Sequence, residues 1–163
     1  SKVFLPVVRG LGLDNMMFAS PDVGGTRRAA AYAKAFGTDF AICYKQRSRP
    51  NVIASMSLIG DVKGKNVILL DDMIDTAGTI TKAAQLIMDE GALSVRAIAA
   101  HAVLSGSAYE KIENSAFTKV YVTDTIPLRQ QSDKIEVVST APIFAEAVRK
   151  IQKHESVSSL FEL

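Results

Sequence analysis

Apolar positions along this chain alternate between two rhythms. Short runs read as strands: "MMFAS" at 16–20, stopped by Pro21, then 39–44, 66–70, 94–104, 119–124 and 134–139. The run "NVILL" at 66–70 is continuously apolar, the pattern of a strand covered on both faces. Between these runs lie helical patterns. "TRRAAAYAKAF" at 26–36 is rich in helix formers and is followed by Gly37, a C-terminal stop. Residues 79–91 carry Ile80, Ala83, Ala84, Ile87 and Met88 on one helical stripe, closed by Gly91. A short helix is expected at 107–115 and a last one at 141–156. Residues 54–60 read as an exposed strand, and the cationic, proline-containing segment 45–51 as a loop. Strands separated by helices of about ten residues imply right-handed crossovers. The expected fold is α/β, a mostly parallel sheet flanked by helices.

Composition narrows the classes. The 163 residues suffice for one domain with its own core, and 48% apolar with 22% charged residues is ordinary for a globular chain. A formal charge of +2 gives no argument for nucleic acid or a membrane surface, although it leaves a local anion site open. The single cysteine, Cys43, excludes an internal disulfide, fits a reducing cytoplasm and reads as a small core residue. No apolar run reaches membrane-spanning length. The start, Ser1-Lys2-Val3-Phe4-Leu5-Pro6, has neither a signal peptide's apolar core nor a Met, which is expected of a fragment or a processed product.

Chemistry concentrates where "NVILL" runs into Asp71 and Asp72 and then "DTAGT" at 75–79. Ligands of parallel α/β sheets bind at the carboxyl ends of strands. If the strand ends at residue 70, both acids can turn toward the crevice. Carboxylates accept hydrogen bonds, which suits sugar hydroxyls. The segment after them enters a helix, whose free N–H groups and dipole favour an anion. Ala77 and Gly78 allow close backbone approach, and Thr76 and Thr79 add hydroxyl donors. A diol at one end and a phosphate at the other describe a pentose phosphate. The same residues, taken singly, also fit an N-cap and a solvated strand end.

This string resembles the phosphoribosyl-pyrophosphate motif shared by type I phosphoribosyltransferases and ribose-phosphate pyrophosphokinases. Further stretches look like the pyrophosphokinases: "SPDVGGTRRA" at 20–29, "KQRSRPN" at 45–51, "HAVLSG" at 101–106 and "ESVSSLF" at 155–161. The resemblance covers nearly the whole chain and implies the C-terminal half of a two-domain enzyme, residues 1–163 forming one phosphoribosyltransferase-like domain with the N-terminal domain absent.

That family transfers pyrophosphate from ATP to ribose 5-phosphate with Mg²⁺. By resemblance, Asp71 and Asp72 hold the ribose hydroxyls, and Asp75, Thr76, Ala77, Gly78 and Thr79 form the phosphate loop. Asp22 contributes to a Mg²⁺ site. Lys45 and Arg47 sit on a mobile catalytic flap and neutralise the migrating group, with Ser48 where many relatives carry proline. Ser156 and Ser158 match a regulatory site between subunits. ATP would be bound mainly by the missing half and a neighbouring subunit of a homo-oligomer, so the chain alone is expected to be inactive. His101 is expected to be structural and His154 a solvated residue of the last helix. Two other readings stand beside this one. A type I phosphoribosyltransferase would need a base-binding hood, and none is found. A non-catalytic synthetase-associated regulatory protein would have an altered or enlarged catalytic loop, whereas 45–51 is short and keeps Lys45 and Arg47.

Overall fold

The computed structural model describes residues 2–46 and 55–160. A 3₁₀ turn, Lys2–Phe4, leads into α1 (Leu5–Gly10). There follow β1 (Met16–Ser20), α2 (Thr26–Phe36), β2 (Phe40–Gln46), β3 (Ser55–Ile59), β4 (Asn66–Ile74) and α3 (Gly78–Asp89). Then come β5 (Ser94–Ala102), α4 (Ala108–Glu113), β6 (Phe117–Thr123), β7 (Ile135–Val138), α5 (Ala141–Gln152) and a second 3₁₀ turn, Ser158–Leu160. The strands form one seven-stranded sheet in the order β3-β2-β1-β4-β5-β6-β7. Every neighbouring pair is parallel except β2 with β3. This is the expected α/β fold with a mostly parallel sheet.

Burial follows the two periods. The alternation of β4 divides Val67 and Leu69 from Ile68 and Leu70, and all four are buried. Ile68 and Leu70 join Phe18, Ala29 and Tyr32 in the layer shared with α1 and α2. Val67 and Leu69 join Ile80, Ala83, Ala84 and Ile87 of α3 and Ile112 of α4 in the other. Phe18, Tyr32 and Phe36 pack their rings together, with Phe18 tilted 5.5 Å from Tyr32 and 5.4 Å from Phe36. Gly37 ends α2 in the left-handed conformation at φ 66°, and the Thr38 N–H closes the turn on the Ala33 carbonyl at 2.9 Å. Cys43 is fully buried, and burial pushes its thiol up to about 12.

Three expectations change. β4 does not stop at residue 70 but continues through Asp71 and Asp72 to Ile74. The cause is pairing across the sheet: β5 stays in register, with Asp71 opposite Ala99 and Ile74 opposite Ala102, while the pairs with β1 end at Ala19–Leu69. Lys45 belongs to β2, opposite Met56 of β3, and not to a loop. His154 lies beyond the end of α5, at φ 57°, and is exposed. The helix α1 is an addition, since no element was expected there; a proline in its first turn is compatible with its start.

The direction of the strand order reverses between β1 and β4. Chain segments leaving those two strands diverge, and the crevice they open is the place where open α/β sheets bind ligands. At the far side, α5 has no buried residue and exposes Phe144, Val148 and Ile151. Among the described residues, no helix is long and apolar enough to cross a membrane.

Candidate functional site

Asp22, just after β1, and Asp71 to Ile80, on β4 and the turn into α3, line one cleft of about 260 Å³. The sequence-predicted residues Asp22, Asp71, Asp72, Asp75, Thr76, Ala77, Gly78 and Thr79 are thus brought together. One end of the cleft is acidic. The other is the first turn of α3, which no side chain caps. The Thr81 N–H donates to the Ala77 carbonyl at 3.1 Å, which opens the helical ladder. The N–H groups before it have no acceptor within the helix and open on the cleft.

The turn is braced from behind. Ala77 is buried and left-handed at φ 59°, a conformation that costs a non-glycine residue about 1–2 kcal/mol. The Thr81 hydroxyl caps the Ala77 carbonyl at 2.8 Å. Leu104 and Ser105 donate their N–H groups to the carbonyls of Ile74 and Asp75, at 3.0 and 3.1 Å. The Ser105 hydroxyl donates to Asp75 Oδ1, and Lys111 Nζ to the Thr76 carbonyl at 3.0 Å. Asp75 therefore fixes the loop's shape through its side chain. Ser105 and Lys111 were not foreseen, being 30 and 35 positions from their partners.

At the acidic end, Asp22 Oδ1 accepts the Gly25 N–H at 3.0 Å, which orients its carboxylate. Asp71 Oδ1 accepts the Asp72 N–H at 2.9 Å, and Asp72 Oδ1 the Met73 N–H at 3.0 Å. Arg28 of α2 approaches both acids, Nη1 to Asp71 Oδ1 at 3.5 Å and Nη2 to Asp72 Oδ2 at 3.6 Å. Arg28 was also missed. Its signal was present: it stands four residues before Tyr32, on the side of α2 that carries buried residues.

Burial pushes the Asp71 carboxyl up to about 6, helped by a hydrogen bond to Asp72 and by the charges of Asp72 and Asp22. The same hydrogen bond to Asp71, with the Arg28 charge, holds Asp72 below its ordinary value. The pair therefore keeps its last proton on Asp71. Folded protein holds that proton between about pH 4 and 6, where the unfolded chain has lost it, so this group's contribution to stability falls as pH rises through that window. Asp71→Asn cannot ionise, and its amide can still donate to Asp72. The difference in Tm, variant minus wild type, should rise between about pH 4 and 6.5 and then level off. A difference that stays flat across that range, followed by thermal melts, contradicts the assignment.

The remaining predicted residues lie elsewhere. Lys45 is placed by its backbone on β2, and Arg47 lies outside the described residues, as does most of the 45–51 segment. Ser156 and Ser158 are exposed beyond α5 and hydrogen-bond each other, Oγ to Oγ at 3.1 Å. His101 is on β5 with Nδ1 2.9 Å from the Thr125 hydroxyl, a structural contact outside the cleft. Among the described residues, no group of three or more His, Cys, Asp or Glu side chains is arranged to hold a metal ion.

Known proteins resemble the chain over most of its length. It is 52% identical over 161 residues to a ribose-phosphate pyrophosphokinase of Wolinella succinogenes, covering 99% of this chain and 52% of that protein. The chain spans about half the length of the curated relatives it matches. The crystal structure of phosphoribosylpyrophosphate synthetase from Mycobacterium smegmatis superposes with a TM-score of 0.83 at 35% identity, over 93% of this chain and 50% of that one. An adenine phosphoribosyltransferase shares the fold, with a TM-score of 0.59 at 18% identity over 74% of this chain and 75% of that one. A family model described as the phosphoribosyl synthetase-associated domain matches residues 41–162. On that match, together with the cleft between β1 and β4, the chain belongs to the phosphoribosyl synthetase-associated domain family.

Proposed function

We propose that this chain is the ribose 5-phosphate-binding and catalytic-loop half, the C-terminal one, of an enzyme that transfers pyrophosphate from ATP to ribose 5-phosphate. One observation carries the reading: an acidic pair and an uncapped helix N-terminus share a single cleft. The carboxylates of Asp71 and Asp72 accept hydrogen bonds from the ribose hydroxyls. The turn 75–79 receives the 5-phosphate on its N–H groups and on the Thr76 and Thr79 hydroxyls. In the reaction the 1-hydroxyl oxygen forms a bond to the β-phosphorus of ATP, the bond from that phosphorus to the AMP oxygen breaks, and the hydroxyl proton is released. Lys45 and Arg47 lower the charge of the migrating group.

Mg²⁺ fits the donor set. The cleft combines four carboxylates, those of Asp22, Asp71, Asp72 and Asp75, with a ligand that brings further negative charge. Mg²⁺ commonly takes one or two protein carboxylates and completes its shell with water and substrate phosphates, so a three-acid cage is unnecessary. Asp22 would hold it, and the ion would neutralise phosphate charge. The other half of the protein and a neighbouring subunit of a homo-oligomer would supply most of the ATP site. The exposed stripe Phe144, Val148 and Ile151 supports a larger whole, since such a patch is commonly covered. Ser156 and Ser158 would serve a regulatory anion between subunits, in a cytoplasmic enzyme.

The test uses this chain and the full-length protein side by side. The chain alone should bind ribose 5-phosphate in calorimetry and show sulfate near Thr76 to Thr79 after crystal soaks. With ATP, Mg²⁺ and ribose 5-phosphate it should release no AMP, whereas the full-length protein should. Absence of both anions from the cleft would remove the sugar-phosphate reading. Sustained AMP release by the chain alone would remove the half-enzyme reading.

A further inference from the structure

Asp71 and Asp72 are neighbours on a strand, and the pleat of a strand sends neighbouring side chains to opposite faces. Both nevertheless line the same cleft. The expected explanation, that the strand has already ended, does not hold, because β4 continues to Ile74. Arg28 is the group that spans them, with one guanidinium nitrogen toward each carboxylate at 3.5 and 3.6 Å.

Its setting is specific. Arg28 does not line the sugar-phosphate cleft; together with the two acids it lines a separate small cavity of about 80 Å³ walled by Phe4, Tyr32, Leu70 and Ile98. Apolar walls keep the guanidinium against the strand. Nη1 is buried and forms no hydrogen bond, so the approach to Asp71 is its polar compensation. Arginine suits this task because its planar fork reaches two oxygens at once, whereas a lysine offers one point of charge.

We infer that Arg28 is a positioning residue, acting through Asp71 and Asp72: from the α2 side, where both acids border its cavity as well as the cleft, it draws the two carboxylates together at the edge of that cleft, in the arrangement that vicinal hydroxyls of a sugar require. The sugar part of this inference rests on the proposed function; the orienting part does not.

The experiment compares Arg28→Gln and Arg28→Lys with wild type in the full-length protein. In ligand-free crystals of Arg28→Gln, Asp72 should swing away so that the two carboxylates no longer share the cleft. Unchanged orientations overturn the inference whatever the ligand is. Calorimetry then uses two probes, ribose 5-phosphate and inorganic phosphate. The glutamine variant should lose at least about tenfold affinity for the sugar phosphate and stay within twofold for phosphate, which needs only the 75–79 turn. Equal loss of both probes, or loss of neither, overturns it. The lysine variant should remain at least about fivefold weaker than wild type for the sugar phosphate, since it restores charge without the span. Full rescue by lysine assigns the effect to charge alone and overturns the positioning role. Wild type that binds phosphate but not ribose 5-phosphate sinks the proposed function instead, and the crystal comparison then decides Arg28 by itself.

Discussion

Lys45→Ala or Arg47→Ala, made in the full-length protein, lowers turnover by about 10²–10³-fold and leaves ribose 5-phosphate affinity nearly unchanged. The size is that of losing one preorganised donor from a developing anion, about 3–4 kcal/mol. Selectivity for turnover follows from where the charge acts. A pyrophosphoryl group in flight spreads negative charge that the ground state does not carry in the same place, so a cation aimed at it stabilises the transition state most. On the proposed reading ribose 5-phosphate sits on β4 and the α3 turn, which are other elements. The backbone places Lys45 near the end of β2, a neighbour of β1 at the switch point. Steady-state kinetics with calorimetry of sugar-phosphate binding provides the check. If turnover holds and only the Michaelis constant rises, these cations bind substrate and do not assist transfer.

Gly25→Ala should be strongly damaging, because the added methyl meets a buried side chain at the strand end. Its Cβ would lie 2.4 Å from Ser20 Oγ and 3.5 Å from the Leu70 carbonyl oxygen. Ser20 is fully buried, and its hydroxyl donates to the Asp22 carbonyl at 2.6 Å. Relief therefore means breaking that bond or moving the turn, and overpacking of this kind costs about 1–3 kcal/mol. The turn also carries the Gly25 N–H that orients Asp22. Activity of the full-length protein should fall with stability. Adding Ser20→Ala removes the clashing oxygen and should return part of the lost Tm. A single variant as stable as wild type, or a double variant no better than the single, would show that the strand end accommodates the methyl.

Where chain signals are local, the sequence was legible. β1 and α2 have the expected bounds because Pro21 and Gly37 stop them. The contiguous string from Asp71 to Thr79 disclosed the cleft for the same reason: strand end, acids and helix start follow one another. Long-range pairing was not legible. β4 looked finished at Leu70 because two acids interrupt its apolar run, yet its partner β5, 28 positions on at Asn66–Ser94, carries it to Ile74. Lys45 looked like loop for the same reason, since antiparallel β3 extends β2 past Tyr44. Arg28 shares its helix with Arg27 and Lys34, and the fold brings Arg28 to Asp71 and Asp72.

The switch point that makes the cleft also sets an order of assembly. Met16 of β1 pairs with Asn66, 50 positions later, while its other neighbour, β2, begins at Phe40. During synthesis at about 5–20 residues per second, β1 waits roughly 3–10 s for the strand that encloses it. Until β2 emerges Met17 and Phe18, buried in the finished sheet, have neither flanking strand, and from then until β4 follows they have only one. The nascent chain is therefore most exposed to misassociation and to chaperones before β4 emerges, and the ligand cleft closes around its last wall in the same step that protects β1.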